Sequence, residues 1–315
     1  SYHGVTVAAA SLTGLPVTQN HFDLPVDALG ILRTDHPHYY RGKLEGETEI
    51  QFVDRIVGNL ENLIIAEDPS TIAAFIAEPI TGASGVIVPP DGYYKGIQNV
   101  LDKYGIMFWA DEVITGFGRT GSDFGCTTME IKSPDMMTFA KQLSSAYMPI
   151  SASAIRRDVY EAMIDQSASA GAFGHGYTYS GHPVACAVAL RVLEIYDRDE
   201  IFDRASTTGK YLQEQLSQFS SHPLVGEVRG SGLLAALELV PNKELNHQFK
   251  DGKVGGVAQK MAQDNGLLIR TVAGSSIGIC PPLIITNNQI DELIDKLGDA
   301  LDKTFQYCQT YNLLT

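Results

Sequence analysis

The segment MMTFAKQLSS (136–145) ends an apolar run on a single lysine, Lys141. An amine at the end of a buried run can form an imine with an aldehyde if it is held partly out of water, where its pKa falls. The same ten residues also fit a strand that ends at the surface with its ammonium in water. Further upstream, ADEVITGFGRTG (110–121) sets Asp111 ahead of a glycine-rich turn that contains one arginine, Arg119. Gly116, Gly118 and Gly121 permit close backbone approach and positive φ. Asp111 fits a helix cap or a structural carboxylate as well as it fits a ligand-binding acid. If the two residues sit at adjacent strand ends around one ligand, their chemistry becomes specific. The lysine forms a Schiff base, and the aspartate keeps a pyridine nitrogen protonated so that the ring accepts electrons when a substrate C–H breaks. Pyridoxal phosphate requires that pair.

The surrounding pattern supplies elements that can position them. IAAFIAEP (72–79) reads as a strand that ends at a proline. Tyr93, Ile97, Val100, Leu101 and Tyr104 recur at helical spacing, and Gly105 stops that helix. IMFWADEV (106–113), DMMTFAK (135–141) and ISASAIRR (150–157) read as further strands. Strand, helix, strand at this spacing predicts an α/β fold with a mainly parallel sheet. In such sheets ligands lie beyond the carboxyl ends of the strands, where Glu78, Asp111 and Lys141 all fall. HPVACAVALRVLEIY (182–196) is apolar nearly all round and reads as a long buried helix leading out of this domain. A helical stretch near 205–219 follows, then VRGSGLLAALELV (228–240) as a strand, a helix near 255–265, and GLLIRT and SIGICPPL. The last helix has Thr286 and Gln289 at capping-box spacing, with Ile290, Leu293, Ile294, Leu297 and Leu301 as its buried stripe. Two domains are expected, a large one over 1–197 and a smaller α+β one over 198–315.

Bulk composition excludes some functions. The 315 residues are 44% hydrophobic and 19% charged, with a net charge of −14. An acidic surface repels phosphate backbones, so nucleic acid is not an expected partner. No apolar stretch nears bilayer length and no secretory pattern opens the chain, so no membrane partner is expected. The four cysteines, Cys126, Cys186, Cys280 and Cys308, have neither metal-site nor redox spacing, which fits a reduced, cytoplasmic protein. His36 and His38 have no carboxylate or cysteine near them in sequence and read as loop residues, so no metal is expected.

The run AEPITGASGVIVPPDGYY, WADEVITGFGRTG, TFAK, HGYTYSGHPVACAVAL and CPPL, in that order, resembles the class III aminotransferases, pyridoxal-phosphate enzymes of fold type I. The likeness runs from SYHG at the start to CPPL and beyond. It implies that Lys141 is the Schiff-base lysine and proton shuttle, and that Asp111 pairs with the pyridine nitrogen. Val113 would pack on one ring face and Tyr2 on the other, with His3 and Gly4 of the same motif in the cofactor site. Thr178, beside Tyr177, would bind the cofactor phosphate of a partner subunit, which implies a homodimer with shared active sites; a tetramer stays open. Glu78 would support the cofactor.

Two positions depart from the ornithine, acetylornithine and γ-aminobutyrate enzymes of that family. A glutamine three residues after the aspartate is here Ile114, and an arginine three residues before the PP is here Gly278. Glutamate and 2-oxoglutarate are therefore disfavoured as the usual amino donor and acceptor. Arg270 in GLLIRT resembles the mobile arginine of the ω-amino acid:pyruvate aminotransferases, which grips a carboxylate through two parallel hydrogen bonds. The expected activity is transfer of an amino group from an amine or ω-amino acid to a keto acid, pyruvate above others. An aminomutase or decarboxylase on the same fold, a non-catalytic binding protein and an inactive fragment are the competing readings. The family carries an N-terminal portion ahead of YHG, with a phosphate-binding turn and aromatic pocket residues. The sequence shows no match to it.

Overall fold

Two four-stranded sheets organise the chain, one mostly parallel and one wholly antiparallel. The computed structural model describes residues 1–244, 247–250 and 252–314. A short helix α1 (Val7–Leu12) and a single turn α2 (Tyr39–Gly42) lead to the long helix α3 (Glu49–Ala66). Thr48 and Gln51 close a reciprocal capping box at the start of α3, and Phe52, Ile56, Leu60 and Ile64 line its buried face.

Strand β1 (Ala74–Ala77) follows, then helix α4 (Tyr93–Tyr104), ended by Gly105 at φ 67°, a left-handed cap that glycine accepts without strain. Strand β2 (Met107–Asp111), the turn α5 (Gly125–Thr128), β3 (Met136–Phe139) and β4 (Ala152–Ile155) complete the first sheet. Its order is β1-β2-β3-β4; β1, β2 and β3 run parallel, and β4 is an antiparallel edge. Phe108 and Ala110 of β2 face a core with Phe52, Ile56, Ile97 and Leu101, while Asp111 turns to the other side.

Helices α6 (Arg157–Ala170), α7 (Pro183–Arg198) and α8 (Ile201–Ser217) lead to the second sheet. It contains β5 (Val225–Ser231), β6 (Leu234–Leu239), β7 (Arg270–Val272) and β8 (Ser276–Ile279) in the order β5-β6-β8-β7. Helix α9 (Lys253–Asp264) precedes β7, and α10 (Asn287–Thr310) closes the chain behind its own capping box. Leu212, Leu237, Ile277 and Leu297 belong to the second core. Burying such a side chain contributes about 1.5–3 kcal/mol.

Two expectations need correction. Residues 228–240 are not one strand but a hairpin, because Gly232 turns the chain at φ 56° between β5 and β6. Helix α7 is not buried all round. Ala185, Ala189, Val192 and Tyr196 are covered, whereas Val184 and Leu190 remain 54% and 63% exposed.

Candidate active site

Parallel pairing brings the carboxyl ends of β1, β2 and β3 to one edge. Ala77 pairs with Ala110 and Asp111 with Thr138, so Glu78, Asp111 and the residues after Phe139 emerge side by side. Asp111 is buried, with Oδ2 2.7 Å from His3 Nδ1, and its Oδ1 accepts the Val113 N–H at 3.1 Å. Glu78 is also buried. Its Oε1 accepts from the Ser1 hydroxyl and, at 3.3 Å, from the Tyr2 N–H; its Oε2 accepts the Gly82 N–H at 2.8 Å. The Tyr94 hydroxyl, from the first residues of α4, donates to the Glu78 carbonyl at 2.6 Å. The SYHG segment thus lies across two strand ends. Gly4 holds φ 125°, and a Cβ there would come within 3.1 Å of the Ala9 Cβ, so this turn calls for glycine.

Lys141 begins a 3₁₀ turn, Lys141–Ser144, at φ 45°, an uncommon conformation for a residue with a side chain. The Tyr196 hydroxyl on α7 donates to the Gln142 carbonyl at 2.8 Å and braces the turn. By surface area Lys141 is exposed, yet protein around the ammonium lowers its pKa from the ordinary lysine value. Burial is the largest cause; Asp111, Glu78 and Cys280 pull the other way, and Arg270 lowers it further. Those influences place Lys141 in the field of Asp111, Glu78 and Arg270 together. Cys280, exposed after β8, joins this group without any signal in its spacing.

Arg270 opens β7, is exposed, and has no ion pair among the described residues. Val113 is half-buried beside Asp111. Ile114 packs against Gly82, where an added Cβ would lie 2.2 Å from the Ile114 Cδ1; the isoleucine therefore fills the space next to Glu78. Thr178 and Tyr177 are not brought to this cluster. They lie in an exposed stretch after α6, and Tyr177 is 76% exposed.

Glu112 escaped the sequence reading, and so did the partners of Arg119 and His38. Glu112 is fully buried; its oxygens accept from the Thr115 hydroxyl and from the N–H groups of Gly125 and Cys126, at 2.9 and 2.7 Å. Arg119 donates to the Leu233 and Pro281 carbonyls at 3.0 and 2.6 Å, tying the glycine-rich turn to the second sheet. His38 does have a carboxylate neighbour, Glu227 at 2.9 Å, from a distant part of the chain. His38, Glu227 and Glu238 have ligand atoms within 4.8 Å of one another, a grouping that could interest a cation. Arg229 and Arg41 already answer it, with Arg229 Nη1 2.7 Å from Glu227 and Arg41 Nη2 2.8 Å from Glu238. Burial pushes both carboxyls up, but His38 and Arg229 at Glu227, and Arg229 and Arg41 at Glu238, outweigh it and hold both below the usual range.

Comparison with known proteins bears on the family and the fold. The family model "Aminotransferase class-III" matches residues 1–301. A probable γ-aminobutyrate transaminase 3, mitochondrial, of Oryza sativa subsp. indica is 50% identical over 305 residues, covering 96% of this chain and 59% of the relative. The γ-aminobutyrate transaminase 1, mitochondrial, of Solanum lycopersicum is likewise 50% identical, with 58% of its length covered. The chain therefore spans about three fifths of the length of these relatives. Among solved structures, a transaminase with L-alanine superposes with a TM-score of 0.94 at 47% identity, covering 98% of this chain and 72% of that one. The ω-transaminase of Pseudomonas jessenii in complex with PMP gives 0.94 at 48% identity, covering 98% and 67%.

Proposed function

The chain belongs to the class-III aminotransferases, and on that footing we propose that this protein moves an amino group from an amine or ω-amino acid to pyruvate in two half-reactions. The observation that carries the reading is the parallel register that brings buried Asp111 and the turn opened by Lys141 out side by side at the strand ends, with Arg270 among the charges that lower the lysine's pKa. The donor set fits the family's cofactor, pyridoxal phosphate: an oriented carboxylate for a pyridine nitrogen and an amine of depressed pKa for an aldehyde. When bound, the cofactor supplies an electron sink for the carbon that loses its proton.

The chain's own residues would do the rest. Asp111, fixed by His3 and the Val113 N–H, holds the ring-nitrogen proton. Glu78, tied to the Tyr2 and Gly82 N–H groups, would keep the SYHG segment over the site and leave Tyr2 and Val113 to flank the ring. Lys141 Nζ would hold the cofactor through its aldehyde carbon, and as a free amine would take up and give back the proton that the substrate carbon loses. A depressed pKa favours the neutral amine that both tasks need. Arg270 receives a substrate carboxylate through its planar fork. Ile114 and Gly278 stand where other family members place groups that suit glutamate, which supports the smaller acceptor; the solved relative with L-alanine, the aminated form of pyruvate, supports it too.

We also place Thr178 and Tyr177 at a second copy's cofactor phosphate, in a homodimer. Helix α6 has no buried residue, and Tyr160 and Ile164 on it, like Val184 and Leu190 on α7, are large apolar side chains left exposed. Sedimentation equilibrium tests this, and a monomer at micromolar concentration contradicts it. A reducing compartment, the cytoplasm in our reading, is supported by four cysteines that form no disulfide. The activity is tested with a ¹⁵N-labelled amine donor. The label should appear in alanine only when pyruvate is added, and product formation without any keto acid would replace transamination with mutase or decarboxylase chemistry.

A further inference from the structure

Arg229 and Arg270 occupy the two ends of one cross-strand row. Register pairs Arg229 with Ala236, Ala236 with Gly278 and Gly278 with Arg270, so all four residues share a face of the second sheet. Three strand spacings separate the arginines, about 14 Å. Between them the row holds only a methyl group and a hydrogen. The next row, Glu227, Glu238, Ser276 and Val272, lies on the same face.

Besides its pair with Glu227 on its own strand, Arg229 makes contacts that leave β5 in two directions. Nε donates to the Gly85 carbonyl at 2.9 Å and the Val86 carbonyl at 3.2 Å, and Nη2 donates to Gly85 at 2.7 Å. Nη2 also reaches the Ser276 Oγ on β8 at 3.2 Å and Glu238 Oε2 at 2.8 Å. The Ser276 hydroxyl in turn donates to that Glu238 oxygen at 2.9 Å. Gly85 lies where an added Cβ would sit 3.0 Å from Arg229 Nη2 and 3.4 Å from the Cβ of Ala273, at the tip of the β7–β8 hairpin. Val86, which is β-branched, holds φ 54°, a conformation that persists only where its surroundings enforce it. The same loop supplies the Gly82 N–H to Glu78 Oε2, and the Gly85 and Val86 N–H groups both return to the Gly82 carbonyl.

We propose that Arg229 is a positioning residue, a strut that holds the 82–87 loop, and through it Glu78, at a set distance from the β7–β8 hairpin that carries Arg270. It touches neither substrate nor cofactor. What it sets is the gap between the cofactor side of the site and the carboxylate grip, and hence the length of carboxylate substrate that fits. The part about substrates rests on the role given to Arg270 above; the mechanical coupling does not.

Hydrogen exchange on the full chain tests the coupling without activity. Arg229→Met should speed exchange about tenfold at Gly82, Val86 and Ile87 and, equally, at 271–272 and 276–279, with α4 unchanged. Faster exchange in only one of the two segments overturns the strut. If Arg229→Met loosens the whole chain, Ser276→Ala is read instead: it removes one link and should speed the same two segments about threefold, and no change in either overturns the proposal. In the holoenzyme, Arg229→Lys should raise KM for pyruvate about tenfold, with kcat and the KM of a donor amine lacking a carboxylate within twofold. An equal fall in kcat for every substrate would also count against it. If Arg270→Ala leaves the pyruvate KM unchanged while exchange remains coupled, the role of Arg270 fails and the strut stands.

Discussion

Asp111 and Glu112 are neighbouring carboxylates at the end of one strand, both buried, and their surroundings separate them completely. Alternation sends Asp111 toward the SYHG segment and Lys141, where its partners are an imidazole and one backbone N–H. Glu112 turns the opposite way and is consumed by the Thr115 hydroxyl and two N–H groups of the following loop. One acid keeps capacity for a ligand and the other has none to spare. A buried carboxylate is thus a candidate for chemistry according to what its oxygens still lack, not according to burial.

This contrast can be broken experimentally. The largest effect is expected at Asp111: Asp111→Asn should lower transamination by about 10²–10³-fold, while leaving the melting temperature within a few degrees. Asp111 raises the Lys141 pKa, so its removal leaves Lys141 neutral at lower pH; loss of activity therefore cannot come from a protonated lysine. Glu112→Ala should do the reverse. It orphans two buried N–H groups and costs about 3 kcal/mol in denaturant unfolding, while the surviving folded fraction keeps its specific activity. Equal effects on both measures in the two variants would erase the distinction.

Smaller effects sharpen it. Arg270→Ala should raise KM for pyruvate about 10- to 100-fold, the loss of one charge-assisted pair, and leave a carboxylate-free amine unaffected. The pH dependence of borohydride trapping by pyridoxal phosphate reports Lys141 directly. Its pKa is lowered chiefly by burial, so the neutral amine accumulates, and trapping rises, at a midpoint below the ordinary lysine value of 10.5. Because Arg270 contributes to that lowering, Arg270→Ala should move the midpoint upward.

Much of the first sheet was legible because its strands are short apolar runs bounded by proline or glycine, and α4 and α10 because their stripes and caps are local. Lys141 and Asp111 were legible as members of motifs. Glu112 was not, since nothing within a strand end says which face the ligand takes. The roles of Arg119 and Arg229 were hidden for another reason: their acceptors, Pro281 for one and Gly85 for the other, lie more than a hundred residues away in sequence. The hairpin at 228–240 was missed although Gly230 and Gly232 marked it, because apolar residues continue on the far side of the turn. Helix α3 was missed although Thr48 with Gln51, ahead of a regular apolar stripe, marked it locally.

The central claim is that Lys141 is the amine that holds the cofactor's aldehyde. Borohydride reduction of the protein with pyridoxal phosphate, followed by peptide mass spectrometry, tests it in one step. A pyridoxyl group confined to the peptide containing Lys141, and absent from Lys141→Ala, is the predicted result. Label spread over surface lysines, or unchanged by that substitution, would contradict it.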